Sequence, residues 1–263
     1  MNAIMTIIRK EWTEVSKNKL VLSVVLFIPI LMTLIPLVMM GVMGRFGVSQ
    51  GDLEEMSAML QNPLFSGLTS LEAVQSMLAS QFLVLFLMMP LMVPVTIAAY
   101  SIVGEKVTRS LEPLLATPIS TSRLLLGKGL AAALPGIITA WISYGLFLIG
   151  ARFLAVSDAV FNIFVDPMWL IAMLVLAPLL TIMAVNVGII VSSRTSDPRA
   201  AEQLGSLIIL PLMILFIGPM AGFIQLNSLT FLASAAIVLL ADVVLVYLGV
   251  KLFQRETILT RWK

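Results

Sequence analysis

The sequence predicts an all-α integral membrane protein, a bundle of six spanning helices with an N-terminal amphipathic helix at the membrane interface. Three observations carry this. The 263 residues are 60% hydrophobic and only 11% charged, whereas a soluble domain carries about 25% charged residues. The mean hydropathy is +1.07, which leaves too little polar surface to coat a water-soluble body. The apolar residues also fall into runs separated by polar segments, each run close to the ~20 residues a helix needs to cross the hydrocarbon layer.

The six runs cover residues 20–44, 81–103, 129–150, 168–191, 204–223 and 230–250. Pro90 and Pro94 predict a kink in the second, because proline removes a ladder hydrogen bond. Pro211, Gly218 and Pro219 predict that the fifth is broken or re-entrant. Such breaks are tolerated at membrane depth where protein or a cavity covers the exposed backbone. Gly218 and Gly222 form a G-x-x-x-G pattern, read as ordinary close helix packing.

Lys and Arg positions set the expected orientation. Arg9, Lys10, Lys17 and Lys19 precede the first run; Lys106, Arg109, Arg123 and Lys128 lie between the second and third. Arg194 and Arg199 follow the fourth, and Lys251, Arg255, Arg261 and Lys263 follow the sixth. The other side holds only Arg45 and Arg152. Both termini are therefore expected in the cytoplasm, in a multi-pass protein of the cell membrane. No signal peptide is expected, because the first apolar run is too long for one.

One domain is expected over residues 1–263. Residues 1–19 form the amphipathic helix, with Ile4, Ile7, Ile8, Trp12 and Val15 on one face and Arg9, Lys10, Glu14 and Lys17 elsewhere, a pattern suited to the interface. Residues 45–80 form an external loop with two short helices. Asp52 and Glu55 start one; Thr69 and Glu72, at capping-box spacing, start the other.

The chain has no Cys and no His. That excludes disulfides, thiolate nucleophiles, imidazole acid–base catalysis and nearly all zinc or haem sites. Gly127–Lys128 lacks the upstream glycine and the following Ser or Thr of a phosphate loop. No catalytic residue, metal site or cofactor is therefore expected on this chain, and it is not expected to be an enzyme. A net charge of +2 gives no reason to expect nucleic acid. A lipid-modifying enzyme would need clusters of acids or His that are missing.

The polar segment between the second and third runs is the most informative. Ser110 is a plausible N-cap, and Pro113 is tolerated in a first helical turn. Leu111, Leu114 and Leu115 then share a face, Thr117–Pro118 ends the helix, and Ser120 or Thr121 caps the next. A short helix with an apolar face, held outside the membrane, suits a groove on a partner; packing on its own bundle is the competing reading.

This segment resembles the signature of ABC-2-type exporter permeases. Glu105, Lys106, Leu111, Glu112, Pro113, Leu114, Leu115, Thr117 and Pro118 match, with Gly127–Lys128 closing the segment. Arg9–Lys10–Glu11, the stretch from Ser193–Arg194 through Asp197 to Gln203, and Phe253–Gln254–Arg255–Glu256 are similar to other parts of the family. The pattern resembles most the sodium-efflux and drug- or peptide-export types. The resemblance implies a membrane subunit that pairs as a dimer and docks two separate ATPase subunits, which carry the ATP and Mg. It implies a coupling segment within 104–128, with Glu105, Lys106, Arg109, Leu111, Glu112, Leu114, Leu115, Thr117 and Pro118 in that role. Glu105 and Arg109 are expected at its solvated rim.

Asp242 lies inside the sixth run, where a charge costs ~2.5–3.5 kcal/mol on insertion scales. Two readings are open: a contact on the translocation path, with Asn186, or a structural hydrogen bond to Asn186 or Tyr144. The first also fits an alternative function, an ATP-independent ion or small-molecule carrier or channel built around Asp242.

Overall fold

Each apolar run forms a helix. The computed structural model of the chain describes residues 3–49, 67–107 and 121–252, and all regular structure among them is helical. Six stretches among the described residues are long and apolar enough to cross a membrane: Lys19–Phe46, Ser70–Val107, Arg123–Leu154, Asp158–Arg194, Pro198–Met220 and Ser228–Gly249. The predicted all-α membrane bundle is the observed fold.

Helix α1 (Ala3–Lys17) is separated from α2 (Lys19–Phe46) by Asn18. The Asn18 carboxamide oxygen accepts from the Leu20 and Val21 amides at 3.1 and 3.4 Å, so it caps the start of span one. Gly47, at φ 75°, ends α2 and donates its N–H to Met43 O, a backbone state that favours glycine.

Span two is α3 (Ser70–Phe86) followed by α4 (Met89–Val107). The Thr69–Glu72 capping box is formed. The helix it starts does not stay short, but runs 17 residues into the bundle with most of its side chains buried. The expected kink is a break at Leu87–Met88, next to Pro90, which has no N–H to continue the ladder; Pro94 is accommodated inside α4. The first expected external helix lies outside the described residues.

Span three is α5 (Thr121–Leu154), a single 34-residue helix starting where the cap chemistry places it. At 1.5 Å per residue it is roughly 51 Å long. That exceeds the ~30 Å hydrocarbon layer, so it extends past that layer. Span four is assembled from α6 (Asp158–Phe164), α7 (Pro167–Ile171), a π-helical turn (Ala172–Leu176) and α8 (Ala177–Arg194).

Span five begins earlier than its apolar run. Asp197 caps α9 (Pro198–Ser206) by accepting the Arg199 amide at 3.0 Å, with Pro198 in the first turn, a favoured helix start. A 3-10 turn (Leu207–Ile209) precedes α10 (Leu210–Met220), which holds Pro211 near its start. Gly222, at φ 76°, ends the span, and the Phe223 amide reaches back to Gly218 O at 2.9 Å. This is a helix-terminating loop of the Schellman type. The G-x-x-x-G pattern therefore serves the turn: a Cβ on Gly218 would lie 2.6 Å from Ile224 Cδ1, not against another span. Span six is α11 (Ser228–Leu252).

Span two is the hub. Its apolar window is 78% buried, against 17% for spans five and six. Gly136 on α5 and Gly188 on α8 permit close approach to α4: added Cβ atoms would lie 2.7 Å from Pro94 Cγ and 2.9 Å from Ala98 Cβ. At one end of the bundle, the buried Gln75 amide donates to Met40 O and Leu154 O at 3.0 and 3.2 Å, and its oxygen accepts the Val156 amide at 3.0 Å. That single side chain ties the ends of spans one and three to α3. The opposite end gathers α1, the last turns of α4 and α8, and the first turns of α5.

Candidate functional site

That opposite end holds the densest charge cluster among the described residues. Its first contributor is α1. Ile4, Ile7, Ile8, Glu11 and Val15 follow one helical stripe, and Ile7, Ile8 and Glu11 are buried. The stripe packs on the first turns of α5, where Gly127 has no side chain: a Cβ there would lie 3.0 Å from Ile7 Cβ. Trp12 Nε1 donates to Ala131 O at 3.0 Å. The interfacial helix expected from the sequence thus has Ile7 and Ile8 of its apolar stripe covered by protein, while Trp12 and Met5 stay exposed.

Lys128, one residue after Gly127, is the centre of the cluster. Its ammonium donates to Glu11 Oε1 and to Ser101 Oγ, both at 2.7 Å. Glu105 Oε2 lies 2.9 Å away as a further ionic contact. Glu105 Oε1 in turn accepts from Lys10 Nζ at 2.5 Å, and Lys10 lies 3.4 Å from Glu14. The Glu11, Lys128 and Glu105 side chains are 2%, 5% and 5% exposed, while Lys10 is half-exposed at the edge. Two buried carboxylates face one buried ammonium, and the half-exposed Lys10 supplies the second positive charge. A buried charge persists only under such pairing.

Burial alone would pull the Lys10 ammonium down in pKa. The hydrogen bond and charge of Glu105, with Glu11 and Glu14, outweigh it, and the net shift is upward. Lys106, the next residue after Glu105, points the other way. Its ammonium donates to the backbone oxygens of Ser192, Ser193 and Thr195 at 3.1, 2.9 and 2.9 Å. These are orphan carbonyls at the end of α8, where a cation also meets the negative pole of the helix. Adjacent residues at the end of α4 therefore bind three different elements, Glu105 reaching α1 and α5 and Lys106 the end of α8.

Glu105 and Lys106 are the two expected coupling residues that the structure describes. Arg109, Leu111, Glu112, Leu114, Leu115, Thr117 and Pro118 lie outside the described residues. The solvated rim expected for Glu105 is corrected: its carboxylate is buried, because α1 covers it and supplies Lys10. Glu11 was visible in the sequence only as part of a family resemblance. A sharper signal was available, since an acid at a buried position of an apolar stripe requires a cation, and Lys128 is that cation.

The structural reading of Asp242 is also corrected. Tyr144 donates its hydroxyl to Phe164 O at 2.7 Å, and Asn186 donates to Ile182 O at 2.8 Å. Neither reaches Asp242, and neither Asp242 oxygen has a hydrogen-bond partner among the described residues. Asn186 lies beside Gly249, with its Oδ1 3.7 Å from where a Gly249 Cβ would be, so the two expected path residues are not brought together. No group of three potential metal-ligating His, Cys, Asp or Glu occurs among the described residues.

The chain matches the sequence family described as ABC-2 family transporter protein over residues 5–233. That interval covers α1 from residue 5 onward, the whole charge cluster and the first five spans. The chain belongs to the ABC-2 transporter family. A search of curated proteins returns no match. As a multi-pass ABC-2 transport permease, the protein needs no catalytic chemistry at the cluster. The arrangement can act mechanically: it fastens α1 to both sides of the segment joining spans two and three, at Glu105 before it and at Lys128 after it.

Proposed function

We propose that this permease is the membrane subunit of an ATP-driven exporter. It forms the translocation path as a dimer and docks two separate ATPase subunits through the segment from Glu105 to Pro118, with both termini in the cytoplasm. ATP and Mg belong to the partner. The observation that carries this reading is where the ends of the segment are fastened. Before it, Glu105 is tied to α1 and Lys106 to the end of α8; after it, Lys128 is tied to Glu11. A displacement of the docked segment therefore pulls on spans two, three and four and on α1 together. Such a linkage can move a bundle between two packed states if the ATPase binds those states differently. An ATP-independent carrier would have no use for a docked partner at this place.

Purification from the native membrane under mild detergent tests the proposal. The expected complex holds two permease chains and two ATPase chains, and ATP turnover is confined to preparations that contain the second polypeptide. Sustained turnover by the rigorously purified permease, or transport undiminished in a strain that lacks every co-purifying ATPase, would overturn it.

A further inference from the structure

Asp242 is used neither by the charge cluster nor by the proposed docking. It sits on the buried stripe of α11 with Phe231 and Ala235 and is 4% exposed. The opposite face carries exposed Leu240, Val243 and Val244. Two anchors fix its depth. Trp169 of α7 packs on the Phe231 ring, centroid to centroid 5.5 Å, and Asn186 of α8 lies beside Gly249. Span four and α11 therefore run in the same direction, side by side. Asp242 comes eleven residues after Phe231 and seven before Gly249, roughly 16 and 10 Å along the axis. Either anchor places it level with about Leu179 or Leu180, in the middle of the bundle.

The groups facing it from the elements packed on α11 are apolar or already engaged. α7 and the π-helical turn contribute no charged residue, and α8 contributes only Arg194, about 21 Å further along the helix. Leu180, Met183 and Ala184 are buried, and the Thr181 hydroxyl donates to its own helix at Ala177 O, 2.9 Å away. On α11 itself the other titratable side chain with a described environment is Tyr247, which is exposed. Among the described residues an ionised carboxylate here has no cation and no donor, and desolvation strongly disfavours it. A metal cation is no better served, because it needs several oxygen ligands and Asp242 supplies the only carboxylate at this level among the described residues. A proton needs only one.

We infer that Asp242 is a proton-binding site within the bundle, held as the neutral acid near neutral pH while α8 and α11 are packed together. A conformation that parts those helices would admit water and let the acid ionise, so proton binding at this site is linked to helix packing. This inference is independent of the ATPase reading.

Infrared spectroscopy of the full chain in lipid nanodiscs, with the aspartates carboxyl-labelled with carbon-13, tests it. Solvated carboxyls ionise near pH 4, so at neutral pH their acid carbonyl bands are gone. One acid band is expected to persist, to shift with the label, and to be lost entirely in Asp242→Asn. A second variant guards against misfolding: Asp52, Asp158, Asp166 and Asp197 are all changed to Asn, leaving Asp242 as the one aspartate. Asn preserves the helix caps at 166 and 197, and the band must remain undiminished. Absence of a label-sensitive acid band near neutral pH in the wild type would overturn the inference, as would its loss in the four-Asn variant. Disappearance of the band on adding NaCl or KCl at fixed pH would also overturn it, because the site would then hold an alkali cation on an ionised carboxylate.

Discussion

Lys128 and Glu11 are 117 residues apart in the chain, and their charged groups are 2.7 Å apart in the fold. Both side chains are almost wholly buried. The contact closes α1 onto the beginning of span three. Removing one member leaves the other charged and without its main partner in a poorly hydrated site, which is costlier than removing both.

Lys128→Met is therefore expected to cost about 3–5 kcal/mol, the range for breaking a buried pair. Lys10→Met, at the half-exposed edge of the same cluster, should cost about 0–1 kcal/mol. The double variant Glu11→Leu with Lys128→Met should cost clearly less than the sum of its single changes, because Glu105 and Lys10 remain as a balanced pair. Unfolding midpoints in one detergent, together with protease cutting between α1 and α2, measure this. Additive costs would mean that the two side chains are not energetically coupled.

The pH response of α1 follows from Lys10. Its pKa is raised in the folded chain, so the stability it contributes is fully present below the unfolded lysine value, near 10.4. It is lost as pH rises through the higher folded value. Docking of α1 should be flat across the neutral range and weaken only modestly, by about 0–1 kcal/mol, in strong alkali. Trp12 fluorescence, taken as the difference from Trp12→Phe, reports it, since Trp12 is hydrogen-bonded to α5. A transition near neutral pH that disappears in Lys10→Met would contradict the assignment.

The spans were legible because length and apolar composition decide them, and the tertiary context only trims their ends. Thr69–Glu72 also announced its helix through local hydrogen-bond chemistry. Asp197–Pro198 carried an equally good start signal, but the polar residues Arg199 and Glu202 that follow it masked the start of span five. Glu105 shows where sequence reading stops. Its burial depends on Lys10 and Lys128, which are remote in sequence, and no periodicity near residue 105 encodes their approach. Asn186 and Asp242 illustrate the same limit: both are polar residues in apolar runs, yet the register of α8 against α11 keeps them about 10 Å apart along the axis.

Topology can be tested because the chain has no Cys. Arg199 on α9 and Asp158 on α6 are exposed; Asp158 is the first residue of span four, and Arg199 lies beyond its other end. In intact cells an impermeant thiol reagent should label Asp158→Cys, and should label Arg199→Cys only after permeabilisation. The reverse pattern would place the charge cluster, and with it the proposed docking segment, outside the cell.

The final test concerns the segment whose ends the cluster holds. Leu111, Leu114 and Leu115 share a helical spacing, and burying one Leu side chain contributes roughly 1.5–3 kcal/mol. Two of them could supply much of the energy of a small interface. Replacing Leu114 and Leu115 together with Asp would place unpaired charge at that contact, or leave it open. The variant should insert, fold and dimerise, yet lose ATPase retention and export together. Glu105→Gln should behave differently. It removes the partner of Lys10 and a charge beside Lys128, so it should loosen α1 while leaving the apolar docking face intact. The predicted result is retained ATPase with reduced coupling of its turnover to export. Detergent pull-down, scored beside turnover and transport in proteoliposomes, separates the two. Full ATPase retention and normal export by the double Asp variant would remove the docking role from these leucines. A Glu105→Gln variant that lost the ATPase as completely as the leucine pair would mean that the cluster is itself part of the interface, not the anchor behind it.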